Sequence, residues 1–468
     1  MNFRVTTTFI ILLFMMSYCG SKDQTKGKRP SGGEHPFITL MKKDAGSLGH
    51  RSDTSKKMDG ESLLDLLWGG NGLVKNEGAR TFTHPVNFTT LIDLYILNTQ
   101  GVFHYNFKKN KLKKIKSGNV LSKLKVTRKL RYKANTYILI SLSPSMKRVV
   151  KAIRKKIKNV SEENLGKIIK DYKDRRQNEI NESALIEAGT AAKNIMLLAS
   201  AYNMIHTPLS LKQDRSTIRS IKKQLGIKKK RNKPFILIPL GVHKKGSKSG
   251  DYISYIQGLF KQGKNSRPGD FDFKSALKYD QLIKLLWVAN GAIKSKGISS
   301  HPSGLPNSFI ELYYVNEKKI QSYDPRTNSL KTIKFGDFRK RIMGKNRINK
   351  IKIRNAIIIA RKSNTKDIRK QKRLFRGRHS KKIIKYYKRL IKNQKSLNAL
   401  SLFQVGVALQ TIRLLATDYD LAYQYFIVPR SKRSRLAQDL FLKKGDRPIF
   451  IIPIGKKDSA GKGSKKNT

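Results

Sequence analysis

Two stretches of this sequence repeat one pattern, and that pattern decides the fold. The first is Leu63-Leu-Asp-Leu-Leu-Trp68-Gly-Gly-Asn71-Gly72, and the second is Leu282-Ile-Lys-Leu-Leu-Trp287-Val-Ala-Asn290-Gly291. The chain has only two tryptophans, and both fall at the same position of the pattern. Leucines at helical spacing predict short amphipathic helices at 61–68 and 280–287, each ending near an Asn-Gly turn. The repeat therefore predicts two copies of one structural unit.

Further matches follow in the same order and at nearly the same offset. The matched pairs are His84-Pro85 with His301-Pro302, 91–97 with 309–315, 112–115 with 330–333, 136–140 with 356–360, Gly189 with Gly406, and 234–241 with 448–455. A collinear series of this length argues against chance. Each copy reads as helix, strand, strand, basic helical stretch, long helix and strand.

The apolar segments of each copy predict its secondary structure. Near-continuous apolar, β-branched and aromatic runs predict strands, at 91–97, 135–141, 235–240, 309–315, 355–361 and 449–454. Asn106–Asn110 and Asp324–Asn328 predict hairpin turns. The long helices are predicted at 183–203 and 399–420. Small residues on one side of the first, such as Gly189, would let another helix or a ligand come close.

The N-terminus has the layout of an export signal. A short basic start is followed by a mostly apolar run from Val5 to Tyr18, which is too short for an ordinary membrane span. Cys19 is the sole cysteine of the chain and ends this run. The arrangement resembles a bacterial lipoprotein that is acylated on Cys19, although Tyr18 is large for that position. We expect a periplasmic or cell-envelope protein that is lipid-anchored, with plain secretion as the alternative.

The charge of the chain predicts an affinity for polyanions. Lys plus Arg is 100 and Asp plus Glu is 31, which gives a formal net charge of +69. An anionic membrane surface or an acidic polymer would be attracted. The polybasic runs Lys228–Arg231 and Arg369–Lys382 would suggest nucleic acid in a cytosolic protein, but an export signal disfavours that partner. The alternative is compositional drift, with the basic residues on solvated faces.

Composition and repeats divide the chain into six segments. We expect a signal peptide at 1–19, a flexible basic tether at 20–57 and a basic tail at 457–468. The first copy would occupy 58–243 and the second 266–456, with a linker at 244–265.

The order of the motifs resembles the nitroreductase superfamily, and its SagB-type azoline dehydrogenases in particular. The carrying motifs are Leu66-Leu-Trp68, Leu94-Tyr95, Gly101–Tyr105, Glu187-Ala-Gly189 with Asn194, and Pro239-Leu-Gly241 in the first copy, and Leu285-Leu-Trp287, Pro302-Ser303-Gly304, Leu312-Tyr313 and Pro453-Ile-Gly455 in the second. The resemblance covers about 60–242 and 266–456. It implies an α+β fold of two tandem domains, each a mixed, mostly antiparallel sheet flanked by helices.

The resemblance also implies a cofactor and a place for it. Family members are dimers that bind FMN at the subunit interface. Two fused copies would therefore form a pseudo-dimer within one chain, with FMN between the copies, and such a chain could act as a monomer. The candidates for FMN binding fall into three groups. The group near the family's phosphate-binding cluster consists of Arg51, Ser52 and Arg267. The residues that end the leucine-rich helices are Asn71 and Asn290, and those that match the family's flavin-contacting segment are Ser303 and Gly304. The alternatives are surface residues, turn residues and helix capping.

Other positions depart from the family. The Gly-Leu-Gly turn that approaches the flavin is Met204-Ile-His206 in the first copy and Leu421-Ala-Tyr423 in the second, and these residues hinder a close approach. No pattern names a catalytic side chain or a metal site. Two hypotheses remain: an exported FMN-dependent oxidoreductase acting on a small molecule, or a degenerate, non-catalytic envelope protein that binds an anionic partner through its basic surface.

Overall fold

The structure is a computed structural model. It describes residues 35–46, 58–71, 90–124, 134–145, 161–206, 208–211, 213–228, 231–242, 250–262, 271–272, 277–291, 309–325, 327–343, 354–362 and 394–457.

The described helices follow in chain order. They are α1 (Pro36–Gly46), α2 (Gly60–Asn71), α3 (Glu162–Ala201), α4 (Arg215–Leu225), α5 (Gly250–Gln262), α6 (Tyr279–Asn290), α7 (Arg339–Met343), α8 (Gln394–Asp418) and α9 (Arg433–Asp439). The two amphipathic helices predicted from the leucine pattern are α2 and α6, and both run slightly longer than predicted. In the first copy, the basic helical stretch and the long helix are one continuous helix of 40 residues, α3.

The described strands form two sheets. They are β1 (Ile92–Asn98), β2 (Gly101–Asn106), β3 (Lys111–Ser117), β4 (Thr136–Leu142), β5 (Met204–His206), β6 (Leu209–Ser210), β7 (Lys233–Val242), β8 (Phe271–Asp272), β9 (Ile310–Val315), β10 (Lys319–Asp324), β11 (Ser329–Phe335), β12 (Ala356–Lys362), β13 (Leu421–Tyr423), β14 (Phe426–Ile427) and β15 (Asp446–Lys457). The predicted strands are present, and β2 pairs with β3 and β10 with β11, on either side of the two predicted hairpin turns.

The two sheets have the same strand order. One runs β3-β2-β1-β4-β7-β5 and the other β11-β10-β9-β12-β15-β13. Every pairing between the described strands is antiparallel. Strands β4 and β12 lie inside the sheets and are buried over most of their length, as their apolar runs predict. The predicted α+β fold with two similar units is confirmed.

The two units pack through their long helices. Gly189 of α3 meets α8 so closely that a Cβ atom there would overlap the carbonyl oxygen of Phe403. Gly406 of α8 meets α3 in the same way, at the carbonyl oxygen of Ile186. Each glycine thus faces the residue three positions before the other glycine. Reciprocal contacts of this kind are what a twofold interface produces, so the chain is an intrachain pseudo-dimer.

Two segments that we expected to be flexible are partly helical. The prediction of a tether over 20–57 is wrong for residues 36–46, because Phe37, Leu40 and Met41 of α1 are buried in the core. The prediction of a linker over 244–265 is wrong for residues 250–262, because Ile256 and Phe260 of α5 are buried there too. In both helices a short apolar stripe lies within polar, Lys-rich or Gly-rich sequence, and the stripe decides the structure.

Polar contacts tie both helices to the ends of other helices. His35, just before α1, places its Nε2 2.8 Å from Oδ2 of Asp418 at the end of α8. Gln257 of α5 donates from Nε2 to Oδ2 of Asp65 on α2, at 2.8 Å. Helices α1 and α5 therefore belong to the two folded units.

One helix in the described residues, α8, is long and apolar enough between Ser396 and Asp418 to cross a membrane. In this fold, 94% of its most apolar window is buried within the protein. It is the core helix of the second unit, packed against α3 and α6.

Candidate functional site

Two of the seven residues predicted to bind the cofactor lie in the described part of the chain. Asn71 and Asn290 are the last residues of α2 and α6, and they are 3% and 4% exposed. The remaining predicted site residues lie outside the described residues, as does the predicted lipidation site; these are Arg51, Ser52, Arg267, Ser303, Gly304 and Cys19.

A buried polar network surrounds Asn71. Its Nδ2 donates to Oγ1 of Thr90 at 3.1 Å, and Thr90 Oγ1 lies 3.0 Å from Oε1 of Glu187 on α3. The backbone N–H of Leu91 donates to the other carboxylate oxygen of Glu187 at 2.9 Å. The carboxamide oxygen of Asn71 is buried and accepts no hydrogen bond from the described residues. A buried acceptor without a donor costs about 1–3 kcal/mol, so this atom needs an explanation.

One residue of this network differs in the second unit. By the alignment of the two copies, Gln404 of α8 stands where Glu187 stands in α3. A neutral amide thus replaces the carboxylate that organises the first network. Beyond Asn290, Gly291 adopts φ +68°, and its N–H donates to the carbonyl of Trp287 at 3.0 Å. This is a left-handed cap of the kind that ends many helices, and it agrees with the predicted Asn-Gly turn.

A second buried network crosses the interface between the units. Asn194 of α3 donates from Nδ2 to the carbonyl oxygen of Gly69 at 2.8 Å, and Gln410 of α8 donates to Oδ1 of Asn194 at 2.7 Å. Arg413 then donates to Oε1 of Gln410 at 2.9 Å, and its guanidinium lies 5.4 Å from the ring centre of Tyr425. The network links α2, α3 and α8 across the pseudo-twofold interface.

Three charged side chains of this interface were not predicted as site residues. Glu187, Lys193 and Arg413 are at most 2% exposed. Burying ionised groups is costly unless they are paired and hydrogen-bonded, so such residues are candidates for function as well as for structure. A signal was present in the sequence: Glu187 and Lys193 are the only charged residues in 183–203, and Arg413 is the only one in 396–416.

The segments that replace the family's glycine turn are short strands. Residues 204–206 form β5 on β7, and 421–423 form β13 on β15. His206 is buried, with Nε2 3.0 Å from Oγ of Ser200, and Tyr423 is buried as well. Side chains thus fill positions where a glycine turn would admit a flavin. These two segments do not fit the flavin contact that the resemblance implies.

The glycines that follow Trp68 serve packing. A Cβ atom on Gly69 would overlap Cδ1 of Leu198, and one on Gly70 would lie 2.8 Å from Cδ1 of Ile195. Both contacts are with α3, so these residues let α2 approach the long helix. Within the described ranges, no group of three His, Cys, Asp or Glu side chains could hold a metal ion.

The fold itself matches a solved structure over almost its whole length. A protein of Anabaena variabilis that is described as a nitroreductase superposes on 93% of this chain and 94% of its own, with a TM-score of 0.57 and 11% identity. The chain has the nitroreductase fold.

Shorter structures described as nitroreductases match parts of this fold at lower scores. One from Ralstonia eutropha covers 49% of this chain and 90% of its own, with a TM-score of 0.33 and 14% identity. One from Exiguobacterium sibiricum, in complex with FMN, covers 47% and 94%, with a TM-score of 0.30 and 15% identity. No family model matches the sequence, and no curated protein matches it.

Proposed function

We propose that this chain is an exported FMN-dependent oxidoreductase of the SagB-type dehydrogenase kind, with one flavin bound between its two units. The nitroreductase fold over the whole chain supports the class of cofactor. The observation that carries the proposal is the carboxamide oxygen of Asn71, which is buried and accepts no hydrogen bond from any residue that the structure describes. A flavin presents a ring N–H between two carbonyls, and that donor suits such an acceptor.

The neighbours of Asn71 hold it in place for this role. Thr90 accepts the hydrogen bond from Nδ2, and Glu187 anchors both Thr90 and the backbone of Leu91. These contacts hold Nδ2 of Asn71 toward Thr90, so the carboxamide oxygen of Asn71 points away from Thr90 and is oriented before a ligand binds. FMN, when bound, supplies hydride transfer to or from a small-molecule substrate.

The phosphate of the flavin requires a cation. Arg51, with Ser52, and Arg267 are our candidates, because a guanidinium can bind phosphate through two hydrogen bonds. Ser303 and Gly304 would lie along the flavin ring.

One site per chain follows from the difference between the units. Glu187 organises the polar network at Asn71, whereas Gln404 stands at the equivalent position of the second unit. We therefore assign the flavin to the Asn71 side.

The absorption spectrum of the full-length protein, purified without added flavin and then titrated with FMN, tests this function. We expect the visible absorbance of a bound flavin and saturation at one FMN per chain. A colourless protein that takes up no added FMN would exclude a flavin enzyme.

That outcome would favour a second function: a non-catalytic envelope protein of the same fold that binds an anionic partner. The side chains filling 204–206 and 421–423 support it. So does strand β3, in which Lys111, Lys113 and Lys114 are exposed at the edge of the first sheet. Binding to acidic lipid or polymer should then weaken strongly with salt. Binding that is equal at low and high salt would rule it out.

Export and lipid attachment are part of the proposal and rest on residues 1–19. Expression in a bacterial host should give a mature chain that begins at Cys19 and carries acyl groups, as read by mass spectrometry. Cys19→Ala should move the protein out of the detergent-soluble membrane fraction. A mature wild-type chain without acyl groups would leave plain secretion as the answer.

A further inference from the structure

Two equivalent helix ends carry very different residues. Helix α4 ends at Gly226, which has φ +67°, and the N–H of Ile227 donates back to the carbonyl of Lys222 at 3.0 Å. Helix α9 is closed by the same hydrogen bond, from the N–H of Leu442 to the carbonyl of Ala437 at 2.9 Å. The left-handed residue there is Phe441, with φ +52°. Glycine is the usual residue at this position, and a large side chain pays a steric cost for it.

A lysine on the neighbouring edge strand confirms that the two positions are equivalent. Lys116 of β3 packs 3.5 Å from where a Cβ atom of Gly226 would lie, and its Nζ donates to the carbonyl of Gln224 at 2.6 Å. Lys334 of β11 matches Lys116 in the repeat, and its Nζ lies 5.4 Å from the ring centre of Phe441. The second unit thus places an aromatic ring where the first unit has only a turn.

The ring of Phe441 faces solvent on one side. It is 47% exposed, and it packs edge-on against Phe338 at 5.9 Å between ring centres. Phe335, at the end of β11 and next to Lys334, is 74% exposed. The first unit has Ser117 at the position of Phe335. Two of the three large hydrophobic residues that are exposed in the described structure, Phe335 and Phe441, therefore lie on or beside β11, the edge strand of the second sheet.

The same edge is rich in positive charge. Lys331, Lys334 and Lys444 are exposed, and the guanidinium of Arg341 lies 5.3 Å from the ring centre of Phe338. The neighbouring carboxylates are engaged in ion pairs: Glu317 and Asp337 with Arg339, Asp439 with Arg435, and Glu311 with Lys362 and Lys443. The outer surface therefore combines aromatic rings with an excess of basic side chains.

We propose that this aromatic edge, formed by Phe335, Phe441, Lys331, Lys334, Arg341 and Lys444, docks on the surface of an anionic lipid bilayer. Exposed aromatic rings beside Lys and Arg are typical of protein segments that lie at the level of lipid headgroups. Each basic residue near an anionic surface adds attraction. The predicted acyl anchor on Cys19 favours lipid over nucleic acid as the partner, because one acyl chain alone gives only marginal binding and needs a second signal.

The first unit supplies the variant that tests this surface. In the full-length chain, Phe335→Ser and Phe441→Gly together install the residues that the first unit has at these positions. Tyr279→Ser is the matched control, because Tyr279 is 62% exposed and belongs to α6, outside the aromatic edge. Binding is measured by titration with vesicles of phosphatidylcholine containing about 30% phosphatidylglycerol, and with pure phosphatidylcholine. Every variant carries the same N-terminal segment, so its contribution cancels in the ratio of affinities.

We expect the double variant to bind anionic vesicles at least about tenfold more weakly than the wild type, with the control within about twofold. Wild-type binding to pure phosphatidylcholine should be weaker than to the anionic vesicles. Because Phe441→Gly relieves a left-handed phenylalanine, the unfolding temperature should stay within about 3 °C of the wild type, and flavin content should not change.

Unchanged vesicle binding by the folded double variant would overturn the proposal. A loss confined to binding of a duplex DNA oligonucleotide, at the same salt concentration, would show that the edge serves a nucleic acid and would overturn it equally. A wild-type protein that binds no flavin would leave the proposed lipid binding unaffected, because the aromatic edge lies on the second sheet and shares no residue with the Asn71 network.

Discussion

Equivalent strands of the two units are joined by buried polar networks that differ in charge. In the first unit, Asn232 lies just before β7 and donates from Nδ2 to Oδ2 of Asp93 at 2.9 Å and to the hydroxyl of Tyr95 at 2.7 Å. His104 Nε2 lies 3.2 Å from the other oxygen of Asp93. This network has one carboxylate, and a neutral amide completes it.

The second unit places two carboxylates in the equivalent network. Asp446 replaces Asn232 and accepts from the hydroxyl of Tyr313 at 2.6 Å. Glu311 replaces Asp93, and it is held by Lys362 at 2.6 Å and by Lys443. Burial raises the pKa of Asp446 to about 6, although the hydrogen bond from Tyr313 opposes the rise.

The comparison teaches that strand order and register survive a change of buried charge. The same holds for the helix ends, where Gly226 and Phe441 share one backbone conformation and present different surfaces. Two copies of one fold thus provide an internal control, because an aligned position in one unit can be compared with its equivalent in the other. It also follows that the fold alone does not determine which unit binds a ligand.

The largest effect should come from the feature that the units share, their helix crossing. Gly189→Ala places a methyl group against the carbonyl of Phe403, which belongs to a rigid helix, so the helices must separate. We expect the free energy of unfolding to fall by about 3 kcal/mol, measured by chemical denaturation. Gly166→Ala is the control, because nothing lies within 4 Å of a Cβ there. It should stabilise the same helix by about 0.5–1 kcal/mol. Equal effects would mean that the helices do not cross at Gly189.

An intermediate effect should come from exchanging the buried charge between the units. Asp446→Asn, which installs the residue of the first unit, should raise the free energy of unfolding by about 2 kcal/mol at pH 7. The folded protein binds a proton at Asp446 near pH 6, whereas the unfolded chain does so near its ordinary pKa of 3.8. The wild type is therefore penalised above pH 6, and the penalty fades as the pH falls toward 4.

The measurement for this exchange is chemical denaturation of both proteins from pH 4 to pH 8. The advantage of Asp446→Asn should be fully present above pH 6 and should vanish near pH 4. An advantage that is equal at every pH would show that Asp446 does not titrate in this window, and that packing explains the difference.

The smallest effect should come from the helix end of the first unit. Gly226→Ala forces a residue with a Cβ atom into φ +67° beside Lys116, so we expect a loss of about 1 kcal/mol. The reverse exchange at the second helix end, Phe441→Gly, should not destabilise. If thermal unfolding shows that Gly226→Ala is neutral, the two helix ends differ in backbone and the comparison between them fails.

Much of the fold could be predicted because the same pattern of apolar residues occurs in both copies of the repeat. The leucine pattern around Trp68 and Trp287, and the apolar runs of the central strands, were sufficient for the positions of α2, α6 and those strands. Helices α1 and α5 were missed, because their short apolar stripes lie within Lys-rich and Gly-rich sequence that resembles a linker.

The candidate site was less predictable. Asn71 was identified from its place after Trp68. No sequence pattern could show that its oxygen is buried without a donor in the described part of the chain, while its nitrogen donates to Thr90. That distinction arises only when α2, the segment before β1 and Glu187 of α3 come together. Arg413 was missed because its burial depends on contact between the two units and on its hydrogen bond to Gln410.

We propose that the first unit binds the flavin and the second does not. The most direct test is the FMN affinity of Asn71→Leu and Asn290→Leu, with thermal unfolding to confirm that both variants fold. We expect Asn71→Leu to bind FMN at least about tenfold more weakly than the wild type, and Asn290→Leu to bind it as tightly as the wild type does. Equal losses in the two variants, or no loss in either, would show that the flavin does not depend on Asn71 alone.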